Sequence, residues 1–202
     1  MSNRSSLTKA AAFNDAAFPS TEELNDDQRG LIADFNRRLV DKTIETEEAV
    51  CLCGATDFVP VAEYDRYRIC QPTVICRACG LLQSRPRMSD KALDWFYGSD
   101  HYRAMYDPEF LEMTSAEFNR MLPRARMAFL KSALNGHRYD SVLEVGCASG
   151  LNLYTFFKEG KRVVGYDLAR KPVAFGRSLG MDLRDGSYQD IAGGPYDLIL
   201  LS

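Results

Sequence analysis

An apolar strand end runs into a turn of small residues in the stretch LEVGCASGLN, residues 143–152. Small residues follow the apolar ones at positions 146, 148 and 150. They let a ligand lie close against the backbone, and a helix that starts after the turn presents free N–H groups to that ligand. The stretch therefore predicts a strand, a ligand-binding turn and a helix, with a nucleotide-like or zwitterionic ligand.

Strand and helix patterns alternate around this turn from residue 139 onward. The segments SVLEVG, RVVGYD, MDLRDG and YDLILLS predict strands, and GLNLYTFFKEG and RKPVAFGRSLG predict helices between them. Such alternation is typical of a mainly parallel sheet with helices on its faces. We therefore predict an α/β domain for residues 139–202.

A carboxylate follows the second predicted strand. Asp167 lies 21 residues after Gly146, where an acidic side chain can accept hydrogen bonds from both hydroxyls of a ribose. A dinucleotide fingerprint would need glycine-like residues at 146, 148 and 151, and residue 151 is Leu. The pattern thus favours a ribose-containing ligand and matches a dinucleotide poorly.

Five of the six cysteines lie between residues 51 and 79. In a chain without a secretion signal, such clustering indicates a metal site more than disulfides. Two close pairs of thiolates supply the four tetrahedral positions of a closed structural zinc site. We expect a small β zinc ribbon over residues 49–88, with the ligands Cys51, Cys53, Cys76 and Cys79.

Each cysteine pair ends in Cys-Gly, and glycine tolerates the positive φ of a tight turn that directs N–H groups at sulfur. The first pair has one intervening residue where two are commoner. Cys70 is therefore an alternative to Cys51 as a ligand, or else an ordinary buried thiol. A further alternative is that all five cysteines are reduced core residues.

The other segments are helical or irregular. Residues 1–20 have little periodicity and are predicted to be a mobile tail. Residues 21–48 predict a helical segment capped by Ser20 or Thr21. Residues 89–138 predict helices of a linker or lid, interrupted or restarted at Pro123.

Composition restricts the classes of partner. The chain has 202 residues, a formal net charge of −3 and a pI near 5.5, which give no overall attraction to nucleic acid or anionic lipid. No stretch is long and apolar enough to span a bilayer, and residues 1–18 contain no apolar signal core. We expect a soluble, cytoplasmic protein that does not bind nucleic acid.

Two sets of motifs resemble known families. VLEVGCASG followed by VVGYD resembles the first two motifs of class I S-adenosylmethionine-dependent methyltransferases. CLCG…CRACGLLQSRPRM resembles the zinc-binding domain that precedes the methyltransferase domain in bacterial enzymes associated with sugar, polysaccharide and natural-product methylation. The resemblance covers roughly residues 49–202. It implies a methyltransferase with an N-terminal zinc ribbon and an incomplete Rossmann-like domain, acting on a small molecule, sugar or polysaccharide precursor.

The resemblance also implies roles for individual residues. Glu144 would orient the turn or the amino group of S-adenosylmethionine, Asp167 would hold the ribose hydroxyls, and Ser187 and Tyr188 would lie near adenine. Ser187 stands where an acidic residue is common, and Ala148 stands where glycine is usual. The cofactor-binding residues implied by the resemblance are Glu144, Gly146, Cys147, Ala148, Gly150, Asp167, Ser187 and Tyr188.

The acceptor side is less defined. The segment WFYGSDHYRAMY offers Tyr97, Tyr102, Arg103 and Tyr106 as cover for the cofactor or as acceptor contacts, although aromatic spacing of this kind more often reflects helix packing. No catalytic base is assigned. The resemblance ends after the fourth strand, so we expect a truncated enzyme or a partner chain that covers this apolar edge.

Two other functions are alternatives to methylation of a small molecule. One is a non-catalytic interaction module that retains the zinc and cofactor sites. The other is an RNA methyltransferase whose zinc ribbon holds RNA through five arginines between residues 66 and 87.

Overall fold

A computed structural model describes residues 11–15, 19–20 and 22–202 of the chain. The predicted tail, residues 1–20, otherwise lies outside the described residues. Within them the helices are α1 (Ala11–Asn14), α2 (Asp26–Val40), α3 (Asp90–Gly98), α4 (His101–Tyr106), α5 (Ser115–Met121), α6 (Arg124–Ala133), α7 (Leu151–Lys158) and α8 (Arg170–Ser178). Short 3-10 turns lie at Pro108–Phe110 and Tyr188–Asp190.

The strands form three sheets. Their bounds are β1 (Thr46–Glu47), β2 (Phe58–Tyr64), β3 (Cys70–Cys76), β4 (Leu82–Ser84), β5 (Arg87–Met88), β6 (Ser141–Val145), β7 (Arg162–Asp167), β8 (Asp182–Asp185) and β9 (Leu198–Leu201). The chain divides into two compact units. The first comprises Met1–Phe96 with Ala104–Tyr106, and the second comprises Tyr97–Arg103 with Asp107–Ser202.

Helix α2 of the first unit begins later than the sequence predicts. The side chain of Asn25 accepts the N–H of Gln28 at 2.8 Å, and the Gln28 side chain accepts the N–H of Asn25 at 3.1 Å. This reciprocal capping box fixes the start of the helix. The prediction of Ser20 or Thr21 as the cap is therefore wrong: Thr21 lies outside the described residues, and the Ser20 hydroxyl instead donates to the carbonyl oxygen of Arg66.

Short antiparallel strands follow α2 in the first unit. Strands β2, β3 and β4 form one sheet, with Phe58 opposite Cys76 and Ile75 opposite Leu82. Strands β1 and β5 form a second, two-stranded sheet. Extended structure therefore begins at residue 46, within the segment for which the sequence predicts a helix.

The second unit contains a parallel four-stranded sheet in the order β8-β7-β6-β9. The first strand of this unit, β6, lies between the second and the fourth. The strand order reverses at β6, and in open α/β sheets ligands bind at the carboxyl ends of the strands beside such a reversal. The topology therefore places the turn after β6 where a ligand is expected.

Apolar strand residues alternate between the two faces of this sheet. Val142 of β6 belongs to the main core with Leu153 and Phe156 of α7 and Val173 of α8, and all four are fully buried. A smaller cluster contains Leu143, Val164 and Tyr166. The predicted helices between the strands are confirmed, and both α7 and α8 contribute to the main core.

The linker helices break where the sequence predicts. Helix α5 ends at Met121 and α6 starts at Arg124, with Pro123 as its N-cap. Buried Phe118 of α5 packs its ring 5.1 Å from that of Tyr154 and 5.5 Å from that of Phe175. Aromatic packing therefore holds α5 against the second unit's main core.

Across the described ranges, no helix combines the length and the apolar character that crossing a membrane requires.

Candidate functional site

The turn after β6 is tied to the end of β7. The N–H groups of Gly146 and Cys147 both donate to the carbonyl oxygen of Tyr166, at 2.8 and 3.2 Å. Gly146 has φ +78°, and a Cβ at this position would collide with the carbonyl oxygen of Ser202. Glycine is thus required here by both conformation and space.

Glu144 lies immediately before this turn and is 1% exposed. Its Oε1 accepts hydrogen bonds from Asn152 Nδ2 at 2.6 Å and from the Ser202 hydroxyl at 2.7 Å, while its Oε2 has no partner among the described residues. Burial raises the pKa of this carboxyl to about 7, against the opposing effect of the two hydrogen bonds. A buried, unpartnered carboxylate oxygen is suited to a cationic or hydrogen-bond-donating ligand group.

Asp167 lies at the carboxyl end of β7 and is half-buried. Its Oδ2 accepts the N–H of Ala148 at 2.7 Å, and its Oδ1 accepts the N–H of Ala169 at 2.8 Å. Each carboxylate oxygen retains further lone pairs for two ligand hydroxyls. Because the N–H of Ala148 comes from the turn itself, Asp167 also fixes the position of that turn.

Two other small residues of the turn, Gly150 and Cys147, pack closely against neighbouring elements. Gly150 is the N-cap of α7 and has φ +78°, and a Cβ there would lie 2.8 Å from Met181 Cε. It does not line the cavity described below. Cys147 does line that cavity; its sulfur packs under the turn against Gly165, and burial raises the pKa of its thiol.

The loop after β8 brings Ser187 and Tyr188 to the same region. The Ser187 hydroxyl accepts the N–H of Gln189 and donates to Asp190 Oδ2, both at 3.2 Å. These bonds give Asp190 a capping role at the turn Tyr188–Asp190. Tyr188 is 67% exposed, so its ring face is accessible to a planar group.

A cavity of about 740 Å³ in the second unit connects these residues. One group of lining residues belongs to the ends of the parallel strands and the loops that follow them; it includes Glu144, Gly146, Cys147, Ala148, Asp167, Ser187 and Tyr188. The second group, which we call the helical wall, consists of the lining residues between Tyr97 and Arg126. The volume of the cavity falls within the range of small-molecule sites, roughly 300–1,000 Å³.

The helical wall contains three of the four residues singled out in the linker. Tyr97, Tyr102 and Arg103 line the cavity. Tyr106 instead belongs to the first unit, where its hydroxyl donates to Asp65 Oδ2 at 2.8 Å. Further lining residues that no sequence signal identified are Asp107, Phe110, Met121, Pro123, Arg126 and Asn152.

The cysteine cluster of the first unit joins two turns. The ligand atoms of Cys51, Cys53, Cys76 and Cys79 all lie within 4.8 Å of one another. Two sulfur–sulfur distances are 3.5 Å (Cys51 to Cys79) and 3.8 Å (Cys53 to Cys76). A tetrahedral zinc with bonds of about 2.3 Å separates its sulfurs by about 3.8 Å. The donor set and its spacing therefore fit zinc.

The backbone of both turns has the predicted form. Gly54 and Gly80 have φ values of +82° and +77°. The N–H groups of Cys79 and Ala78 donate to the sulfur of Cys76 and lower the pKa of its thiol to about 7. Donors of this kind favour the thiolate, which is the form that binds metal.

Cys70 lies outside this cluster. It begins β3, and its N–H donates to Asn36 Oδ1 at 2.8 Å. Burial raises the pKa of its thiol. The position of Cys70 is that of a half-buried strand residue, and Cys51 is the closer partner of the other three sulfurs.

Comparisons with known proteins give similarities at the level of structure. No family model matches the sequence, and no curated protein matches it. Among solved structures, the chain is 19% identical to PH0226 protein from Pyrococcus horikoshii OT3 (TM-score 0.36), covering 50% of this chain and 49% of that one. It is 17% identical to the plantazolicin methyltransferase BpumL in complex with SAH (TM-score 0.39), covering 54% and 44%.

A third similarity is to WbdD, co-crystallised with the kinase inhibitor LY294002. The identity is 23% and the TM-score 0.32, with 46% of this chain and 24% of that one covered. The chain thus spans less than half the length of each of these three proteins. Because all three TM-scores lie below 0.5, the similarities do not establish a common fold.

Proposed function

We propose that the second unit binds S-adenosylmethionine and is the cofactor-binding part of a class I methyltransferase that acts on a small molecule or a glycan precursor. The observation that carries the proposal is the placement of Glu144 and Asp167 at the ends of adjacent parallel strands, on either side of the turn at 146–150 and in one cavity. This is the position at which an open α/β sheet binds a nucleotide-like ligand.

The residues of the cavity fit the parts of this ligand. Asp167 would accept the two ribose hydroxyls, the unpartnered Oε2 of Glu144 would accept a hydrogen bond from the ammonium group, and Tyr188 would flank the adenine ring. When bound, S-adenosylmethionine supplies an activated methyl group on a sulfonium. The chain's own contribution is to orient the cofactor and to exclude water from the cavity.

Direct measurement of binding tests this proposal. Calorimetric titration of the zinc-loaded chain with S-adenosylhomocysteine should show saturable binding, and Asp167→Asn should weaken it by at least about tenfold because the ribose hydroxyls lose a charged acceptor. Asp185→Asn is the matched control, since Asp185 ends the neighbouring strand β8 but does not line the cavity. A folded wild-type chain that binds no S-adenosylhomocysteine would sink the proposal.

We also propose that the cysteine cluster holds one structural zinc ion. With four sulfurs and no open coordination position, such a site stabilises the fold and does not activate water. Metal analysis of the purified chain should give one zinc per chain, and Cys53→Ser or Cys79→Ser should abolish it. Cys70→Ser should retain the zinc; loss of the metal from this variant would instead make Cys70 a ligand.

The charges of the first unit favour a small acceptor over RNA. Among the arginines considered for RNA contact, Arg66 pairs with Glu22, Arg77 with Asp57, Arg85 with Glu48, and Arg87 with Glu47. Because nearby carboxylates offset these positive charges, these four arginines do not form an extended basic stripe of the kind that binds phosphates. Retention of the protein on an RNA column in a salt-dependent manner would contradict this interpretation.

A further inference from the structure

The helical wall contains an arginine that packing holds in one position. The guanidinium of Arg103 lies over the Tyr102 ring, 4.9 Å from its centroid, and over the Phe110 ring at 4.8 Å. Its side chain is 13% exposed, and Nη1 pairs with Asp107 Oδ2 at 3.1 Å. Stacking on two rings and the ion pair together restrict the rotamers of a side chain that is otherwise flexible.

One edge of this guanidinium has no partner. Asp107 occupies Nη1, and Nε is buried without a hydrogen-bond partner among the described residues. No described residue accepts a hydrogen bond from Nη2 either. The Nε and Nη2 donors form the parallel pair that binds a carboxylate or phosphate in a bidentate manner. A buried donor without a partner is a common sign of a ligand that the site is built to accept.

A second cation lies on the same wall. Arg126 of α6 lines the cavity and has no ion-pair partner among the described residues. Its charge acts on Glu144, where it lowers the pKa of the carboxyl against the larger effect of burial. The charged residues of the helical wall are therefore Arg103, Arg126 and Asp107, which leaves one positive charge in excess.

We propose that the helical wall binds an oxyanion of the methyl acceptor, a carboxylate or a phosphate, through Arg103, with Arg126 adding electrostatic attraction. This inference rests on the proposed function, which assigns the strand-end residues of the cavity to the cofactor. Arg103 and Arg126 belong to the helical wall, in segments that precede the sheet in the chain. The acceptor would thus be anchored by its anionic group on residues of the same cavity that the proposed function does not assign to the cofactor.

Small anions test this site without knowledge of the acceptor. Titration of the chain with inorganic pyrophosphate and with succinate, with and without saturating S-adenosylhomocysteine and at constant ionic strength, should show saturable binding of at least one anion. The tighter anion identifies the group as phosphate or carboxylate. Arg103→Met should weaken binding about tenfold or more, and Arg126→Met roughly two- to fivefold.

Two variants control for packing and charge. Arg103→Lys keeps the charge and the aliphatic stem but loses the bidentate edge, so it should recover only part of the anion affinity. Arg124→Met removes an exposed arginine of α6, the helix that contains Arg126; Arg124 does not line the cavity, so this variant should bind the anion as the wild type does. Equal losses in Arg124→Met and Arg103→Met, or no saturable anion binding by the wild type, would overturn the proposal.

The cofactor's own carboxylate is the rival ligand. If Arg103→Met weakens binding of S-adenosylhomocysteine but leaves binding of 5′-methylthioadenosine, which lacks the carboxylate, then Arg103 holds the cofactor and the acceptor proposal is wrong. If both nucleosides bind normally and pyrophosphate or succinate binding is lost, the proposal stands. A wild type that binds an anion but neither nucleoside would refute the proposed function separately.

Discussion

At the scale of single residues, Glu144 gives the second unit a specific dependence on pH. Its carboxyl has a pKa of about 7 in the folded chain and an ordinary value of 4.5. The folded state therefore binds more protons than the unfolded state between these values, so the contribution of Glu144 to stability falls as the pH rises from 4.5 to 7 and is constant above it.

The variant Glu144→Gln should lack this dependence. Its side-chain oxygen can still accept the bonds from Asn152 and Ser202, but the amide does not ionise. The free energy of unfolding of the variant relative to the wild type should therefore increase between pH 4.5 and 7, by on the order of 3 kcal/mol. Urea unfolding across this range measures it, with exposed Glu159→Gln as the control. If the difference in the free energy of unfolding between the variant and the wild type does not change with pH, burial does not raise the pKa of Glu144 and the prediction is wrong.

Ala148 lies in the turn after β6 at a position where glycine would be less strained. It has φ +46°, a left-handed conformation that costs a residue with a Cβ about 1 kcal/mol more than glycine. Ala148→Gly should consequently raise the free energy of unfolding by up to about 1 kcal/mol, after the greater entropy of an unfolded glycine is subtracted. Ala174→Gly, at an exposed position inside α8, should lower it by about 1 kcal/mol. Chemical unfolding should show changes in the free energy of unfolding that have opposite signs for the two variants.

At the scale of elements, the contact between α8 and the turn determines how closely helix and sheet approach. A Cβ on Gly176 would collide with Leu183 Cδ1 and lie 2.6 Å from the carbonyl oxygen of Ser149. The carbonyl belongs to the backbone of the turn at residues 146–150 and cannot rotate away as a side chain would. Gly176 therefore allows α8 to pack directly on the backbone of that turn.

Substitution of two helical glycines by alanine should have opposite effects. Gly176→Ala should lower the free energy of unfolding by roughly 1–3 kcal/mol because the added methyl group displaces α8 or the turn. Gly30→Ala in α2 should raise it by about 0.5–1 kcal/mol, since no atom lies within 4 Å of the added methyl and alanine is the better helix former. Equal changes in the free energy of unfolding for the two substitutions would show that the close contact at Gly176 does not restrict the packing of α8.

At the scale of the whole molecule, the sequence predicts an element where the residues that determine it are neighbours in the chain. The apolar runs around Val142 and Val164 predict parallel strands, and the Cys-Gly pairs predict turns with positive φ. The helical wall was not predictable as a whole, because only tertiary packing brings Arg126 into the same cavity as Glu144. The sequence does not locate the start of α2, because Ser20 and Asn25 both precede acidic residues and only the reciprocal bonds of Asn25 decide between them.

The division into two units predicts separate responses to zinc removal. Each unit has its own buried residues: Phe35 and Val74 lie in the first, and Leu153 and Phe156 in the second. The proposed zinc site would hold two turns of a small sheet and should contribute much of that unit's stability. Chelation should therefore unfold the first unit and leave the parallel sheet of the second unit folded.

Two readouts separate the units in this experiment. Trp95 is the single tryptophan of the chain and belongs to the first unit, with Arg38 stacked 4.6 Å from its ring centroid. Its emission should shift to the red on chelation, and the amides of β3 should lose protection from hydrogen exchange. The amides of β6 and β7 should keep theirs, because their bonds lie within the parallel sheet. Simultaneous loss of protection in β3 and β6 would show that the units unfold together, and Cys70→Ser should respond to chelation as the wild type does.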